Sequence, residues 1–268
     1  MIDSPYLVRP GSKVRLKSLK TSDTGDFEDK ADAEAASRKN LDELAKLQDL
    51  LYADGTKALL VVLQAMDAGG KDGTIEHIFS GVNPQGCSVA SFKAPSTLEK
   101  SHDFLWRIHA AAPAKGMIGI FNRSHYESVL VERIHDYAPK SVWKKRYGHI
   151  NHFEQMLVDE GTTVVKFFLH ISKKEQAERM QARLDDPKKN WKFSAGDLEE
   201  RKYWDQYQEA FEDALARCST EAAPWYAIPA DKKWFRNWVI SDILVRTLKA
   251  MKPTYPDPIP DIKKFKVV

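Results

Sequence analysis

The sequence predicts an α/β protein, a parallel sheet with helices on both faces. Three observations lead there. Five short apolar segments recur along the 268 residues, each followed by a stretch of helical character, an alternation that winds right-handed into one parallel sheet. The first segment, Leu59-Leu60-Val61-Val62-Leu63, lacks polar alternation and so reads as a strand buried on both faces. It runs directly into a glycine-rich turn, Met66-Asp67-Ala68-Gly69-Gly70-Lys71-Asp72-Gly73-Thr74.

Taken in order, residues 1–25 carry Pro5, Pro10 and Gly11 and read as an irregular arm on the body or on a neighbouring subunit. From Ala31 to Tyr52, Leu41, Leu44, Leu47 and Leu51 recur at spacings of three and four, an amphipathic helix that Asp54-Gly55 ends. The first strand spans 58–65, and a helix from Thr74 to Phe79 stops at Gly81 and Asn83-Pro84. Ser88–Phe92 is the second strand. Ser96-Thr97-Leu98-Glu99 is a capping box for a helix through Trp106 to His109. Met117–Phe121 forms the third strand, with helical stretches at 125–134 and 140–159 behind it. Thr162–Ile171 is the fourth, and Ser172 with Glu175 caps a helix to Leu184. Residues 185–196 have no period and read as a mobile loop. A long helix from Asp197 to Arg217, a fifth strand at Trp225–Ile228, a helix over 231–250 and a Pro-rich tail after Lys252 complete the chain.

The bulk composition narrows the function. A net charge of +3 is too weak for a general nucleic-acid binder. Apolar runs are of strand length, so no membrane span is expected, and residues 1–17 lack the apolar core of a secretory signal. Cys87 and Cys218 make no disulfide framework, which places the chain in the cytoplasm. Lys and Arg concentrate between residues 166 and 202, which suggests a local polyanion site as well as a solvated face. His149 and His152 lack companion ligands, and Trp204, Trp225, Trp234 and Trp238 read as core and interface aromatics.

The chemistry is carried by the glycine-rich turn. Strand, Gly-rich turn, lysine and helix is the order of a phosphate-cradling loop, whose amides and helix dipole attract anions. Gly69, Gly70 and Gly73 permit the turn, and Lys71 supplies a mobile positive charge. Against the GxxxxGK[ST] pattern, Ala65 replaces the first Gly and Asp72 the metal-holding hydroxyl. Ligands bind beyond the carboxyl ends of such strands, where Asn122-Arg123-Ser124 also lies. Asn122 occupies the position of a metal-holding carboxylate but is neutral, which makes Asp67 the better candidate. Arg123 suits a bidentate clamp on phosphate. Glu127 is open to two readings, a metal ligand or the end of a Ser124-x-x-Glu127 capping box. Arg179 and Arg183 share one helix face leading into a loop with Lys188, Lys189 and Lys192, an arrangement able to close over phosphates.

Three stretches together closely resemble polyphosphate kinase family 2, over about residues 30–250. They are Met66–Thr74, Phe121-Asn122-Arg123-Ser124-His125-Tyr126-Glu127, and Leu184-Asp185-Asp186-Pro187-Lys188-Lys189-Asn190-Trp191-Lys192. The resemblance implies a three-layer P-loop kinase fold like thymidylate kinase, here with a five-stranded parallel sheet and a helical lid over 172–204, in one domain with arms at 1–30 and 252–268. It implies reversible transfer of the terminal phosphoryl of inorganic polyphosphate to a nucleotide, adenine or guanine, with Mg²⁺ (or Mn²⁺). Asp67 would bind metal, with Glu127 as a second ligand. Lys71, Ala68, Gly69, Gly70, Asp72, Gly73 and Thr74 would hold phosphates, and Asn122, Arg123 and Tyr126 the nucleotide. Arg179 and Arg183 would act from the lid, and Lys188, Lys189 and Lys192 would line the polyphosphate path. Many members carry Asp where this chain has Asn122, a variant resembling the subgroup that phosphorylates both AMP and ADP. A homo-oligomer, a tetramer, is implied by the resemblance alone. Two other functions fit the loop: an ATP-dependent nucleoside monophosphate kinase, and a non-catalytic nucleotide- or polyanion-binding regulator.

Overall fold

The structure, a computed structural model, describes residues 1–267. Its sheet has six strands in the order β1-β6-β5-β2-β4-β3. These are β1 (Leu7–Val8), β2 (Ala58–Ala65), β3 (Cys87–Ser91), β4 (Ile118–Asn122), β5 (Thr162–His170) and β6 (Trp225–Pro229). The five predicted strands pair in parallel, and their bounds fall within a residue or so of expectation. The sheet is nevertheless mixed. Leu7 and Val8, in the arm expected to be irregular, pair antiparallel with Tyr226 and Trp225. The expectation of five parallel strands is corrected accordingly: two residues carry no readable periodicity, and tertiary contact alone makes them a strand.

Ten α-helices and six short 3₁₀ turns complete the described chain. The α-helices are α1 (Lys30–Asp54), α2 (Lys71–Phe79), α3 (Thr97–Lys100), α4 (Trp106–Ala110), α5 (Val131–Ile134), α6 (Lys140–Asp159), α7 (Lys173–Asp185), α8 (Ala195–Glu200), α9 (Trp204–Cys218) and α10 (Lys233–Met251). α1 packs along α10, and α10 also touches α2 and β6; α6 packs on β5 and on α9. β2 sits between β4 and β5, and its residues from Ala58 to Gln64 are buried throughout, as its unbroken apolar run requires. None of the described helices is long and apolar enough to cross a membrane.

Three elements differ from expectation. The helix expected from Ser96 to His109 is two short ones, separated at Ser101–Leu105, although Ser96 and Glu99 do form the reciprocal capping box. The segment 185–196 is not a bare loop. It contains a 3₁₀ turn at Asn190–Lys192 and the start of α8, which Ser194 caps by accepting from the Gly196 amide. The long helix therefore starts at Trp204 rather than Asp197. The N-terminal arm lies on the body: Leu16 is fully buried, Tyr6 and Phe27 pack on Phe235, and Thr21 bonds Asp231.

Behind the sheet, Lys166 of β5 and Glu154 of α6 form a fully buried ion pair. Lys166 also donates to the Tyr126 hydroxyl at 2.9 Å and to the Cys218 carbonyl at 2.7 Å. Glu154 accepts from the Tyr126 hydroxyl at 2.9 Å and from His125 Nε2 at 3.1 Å. Burial works against the Glu154 charge, but Lys166 and His125 overcome it and hold the carboxyl below its ordinary range. Burial lowers His125 against the pull of Glu154. This network pins the turn after β4. Lys166→Met should cost about 3–5 kcal/mol of unfolding free energy, since it strands Glu154 in the core. The double variant with Glu154→Gln should recover part of that loss. Urea denaturation of both chains measures it, and a single-variant loss below about 1 kcal/mol would mean the pair holds nothing.

Candidate active site

β2 delivers the chain to a turn whose polar groups are sorted by direction. Gly70 adopts φ 101°, so α2 begins at Lys71, three residues earlier than expected. Asp72, Gly73 and Thr74 are therefore first-turn helix residues and not part of the loop proper. Every carbonyl from Ala65 to Gly70 is engaged from behind. Ala65 accepts from Lys71 Nζ at 3.1 Å, Met66 from the Gly69 amide at 3.0 Å, and Asp67 from Gln176 Nε2 at 2.9 Å. Arg179 Nη1 donates to Ala68 and Gly69 at 3.3 and 3.1 Å, and Thr74 donates to Gly70 through its amide and its hydroxyl. Among the described residues, the amides of Ala68, Gly70, Lys71, Asp72 and Gly73 find no acceptor. Free amides around a helix N-terminus constitute an anion site.

Lys71 is buried at this turn, and burial holds its ammonium below the ordinary lysine range against the pull of Asp67. β4 ends beside it. Asn122 Nδ2 donates to Asp72 Oδ1 at 2.6 Å, and Arg123 Nη2 pairs with Asp67 Oδ1 at 2.8 Å. Arg123 and Ala68 both hold left-handed backbone, φ 61° and 58°. Strain in residues that carry a Cβ clusters at working sites, and here it marks both site turns.

Asp67 and Arg123 border a cavity of about 270 Å³, with Glu127, Asp197 and Glu200 on its polar walls and Leu130, Val131 and Phe211 among its apolar ones. Glu127 does not close a capping box. Ser124 Oγ accepts from the Tyr126 amide, whereas the Glu127 carboxylate accepts from Gln64 Nε2 at 3.1 Å. Gln64 Oε1 is buried beside it without a donor. Burial raises the Glu127 carboxyl despite Arg123 and Lys71, and burial followed by Asp67 raises Asp197. Burial opposes the Arg123 charge, but Glu127 and Asp67 hold it above its ordinary value.

A second cationic group lies on the β6 side of the turn. Arg236 of α10 is 2 % exposed and pairs with no carboxylate among the described residues; its Nε and Nη2 donate to Asn237 Oδ1. Its Nη1 lies where a Cβ on Gly70 would stand 2.1 Å away. Burial and then Arg179 push its pKa down to about 9. Lys233, also lowered by burial and by Arg179 and Arg236, completes the group. The sequence reading missed Arg236, Lys233, Gln176, Gln64, Asp197 and Glu200, because only the topology brings them to the rim.

Two expected roles need correction. Tyr126 is fully buried in the Lys166–Glu154 network and faces the core, because the turn after β4 points its hydroxyl inward. Arg179 is held at the foot of α7 by the loop carbonyls, Glu175, and the carbonyls of Ala230 and Asp231, so it braces the loop. Arg183 pairs with Asp197 at 3.1 Å and holds the Lys192 carbonyl. Lys188, Lys189 and Lys192 are exposed; Lys189 pairs with Asp186, and Lys192 sits over Trp191. His149 and His152 are exposed, and no trio of His, Cys, Asp or Glu is gathered for a metal among the described residues.

Comparison with known proteins fits this geometry. The family described as Polyphosphate kinase 2 matches residues 27–256. An AMP/ADP-polyphosphate phosphotransferase of Meiothermus ruber is 56% identical over 254 residues, 94% of this chain and 95% of that protein. An ADP-polyphosphate phosphotransferase of Rhodopseudomonas palustris is 47% identical over 97% of this chain and 94% of its own length. The crystal structure of Polyphosphate Kinase 2 from Arthrobacter aurescens superposes with a TM-score of 0.92 at 44% identity, covering 96% of this chain and 92% of that one.

The two glycines flanking Lys71 should respond oppositely to a methyl group. Gly70→Ala forces left-handed backbone on a residue with a Cβ, at about 1–2 kcal/mol, and drives that Cβ into Arg236. Gly73→Ala meets open space in a helix and should be neutral or stabilising by up to about 1 kcal/mol. Thermal unfolding of the two variants checks the contrast.

Proposed function

The chain belongs to the Polyphosphate kinase 2 family, and we propose from that premise that it moves the terminal phosphoryl of inorganic polyphosphate to AMP or ADP, reversibly. The observation that carries the reading is the turn in which every carbonyl from Ala65 to Gly70 is capped while the amides of Ala68, Gly70, Lys71, Asp72 and Gly73 find no acceptor among the described residues. Such a turn serves a polyanion. The loop and flanking elements act as a P-loop kinase fold in one domain, with an arm over 1–30, a lid over 172–204 and a C-terminal arm from 252. We also expect a cytoplasmic homo-oligomer, a tetramer, on family resemblance. Inorganic polyphosphate and an adenine or guanine nucleotide are the ligands.

The two cationic sides of the turn divide the labour. Arg123 clamps the acceptor phosphate at the β4 side, with Asn122 placing a neutral group beside an anionic acceptor. Arg236, Lys233 and the loop amides receive the donor chain at the β6 side, with Arg183, Lys188, Lys189 and Lys192 along its path. Lys71 swings from the Ala65 carbonyl toward the transferring group. A nucleotide phosphate is already anionic at neutral pH, so no strong base is required. The residues position two anions in line and neutralise the charge between them.

The donor set suits Mg²⁺. Asp67, Glu127 and the Gln64 oxygen, which has no donor among the described residues, are hard oxygen groups, and Asp67 adds to burial in raising Glu127. Asp67 and Glu127 would hold the ion, with substrate phosphates completing its shell. When bound, it would supply positive charge against the phosphates.

The readings separate in one assay. The protein with AMP and Mg²⁺ should yield ADP with polyphosphate as donor. ADP formed only with ATP would identify a nucleoside monophosphate kinase, and no product with either donor would identify a binding protein. Lys71→Ala and Arg123→Ala should each lower turnover by a hundredfold or more, about 2.7–4 kcal/mol of barrier, as when one preorganised donor is removed. Steady-state kinetics on folded variants decides, and near-normal turnover in either removes that residue from the mechanism.

A further inference from the structure

An aromatic group tied to the cavity wall through Glu200 takes no part in phosphate chemistry. Tyr137 is 72 % exposed and stacks on His135, with ring centroids 5.4 Å apart and planes 21° apart. Tyr203 meets His135 edge-on at 5.0 Å. His135 Nε2 donates to Glu200 at 2.9 Å, and Glu200 also accepts from the Tyr207 hydroxyl at 2.7 Å. Glu200 and Tyr207 line the cavity that Arg123 and Asp67 border. His135 follows α5, whose first residue, Val131, lies in the same wall. The residue between the two rings, Asp136, holds left-handed backbone at φ 53°. Ala68 and Arg123 share this strain at the two site turns; here it turns Tyr137 outward against His135, while the next residue, Ala138, is buried.

The cavity therefore has a charged end at Arg123, apolar walls, and a rigid aromatic pair fixed to its Glu200 wall. A nucleotide has the same polarity, anionic at one end and a flat apolar ring at the other. Resting on the phosphotransferase reading, we propose that Tyr137, backed by His135, is the stacking platform for the nucleobase of the acceptor. Tyr137 touches the base; Glu200 and Asp136 position the platform. A π face reads no hydrogen-bonding edge, so adenine and guanine are taken alike, and smaller pyrimidine rings less well.

The test is calorimetric titration without donor, using AMP and the base-free analogue ribose 5-phosphate, on the full chain and on Tyr137→Ala and Tyr137→Phe. AMP affinity should fall about tenfold in Tyr137→Ala and stay within about twofold in Tyr137→Phe. Ribose 5-phosphate affinity and the KM for polyphosphate should not change. The adenine H2 and H8 resonances should move upfield on binding to the wild type and to Tyr137→Phe only. Wild-type AMP affinity in Tyr137→Ala, or equal losses for AMP and ribose 5-phosphate, would overturn the assignment. Failure of the wild type to make ADP from AMP and polyphosphate overturns the phosphotransferase reading instead, and the stacking result stands apart from it.

Discussion

The structure depends on keeping a short run of backbone one-sided. An anion site made of peptide N–H groups works only if the neighbouring C=O dipoles are turned away and satisfied elsewhere, since an unpaired buried carbonyl is costly and repels anions. Six successive carbonyls meet that requirement here, through Lys71, Gln176, Arg179, Thr74 and the turn's own Gly69 amide. Two of these partners come from α7, which binds the far segment to the loop. Arg201 extends the tie by bonding Gln176 Oε1 at 2.6 Å. The loop's shape is thus set by side chains more than a hundred residues away.

Charge is arranged with equal asymmetry. On the β4 side, Arg123 pairs with Asp67 and Arg183 with Asp197, which leaves Glu127 with no ion-pair partner among the described residues. On the β6 side, Arg179 pairs with Glu175, while Arg236 and Lys233, both lowered by burial, pair with no carboxylate among the described residues. One side lacks positive charge and the other lacks negative charge. The first deficit suits a cation and the second an anion.

Much of this was legible in the sequence where a local rule applied. The parallel strands were readable because burial on both faces leaves an uninterrupted apolar signature, as in Leu59–Leu63. The glycine-rich turn, Arg123 and Lys71 were readable as spacing. Arg236 was not, because a lone arginine in an amphipathic helix carries no mark until the fold carries α10 to Gly70. Tyr126 misled for the opposite reason: it sits inside a recognisable motif, yet the turn buries it as a structural member. The helical character of residues 195–200 had a visible signal, Ser194-x-x-Asp197, which the Lys-rich surroundings obscured.

The two-residue β1 strand has an effect out of proportion to its length. By pairing with β6 it occupies one border of the sheet, and the rest of the arm clasps Phe235 and Asp231 to keep it there. The opposite border, β3, stays uncovered, with Val89 more than half exposed. The sheet thus ends in a two-residue antiparallel strand at one margin and in a parallel strand at the other. Loss of the arm would bare the β6 backbone that Leu7 and Val8 now pair with, a further unpaired strand edge.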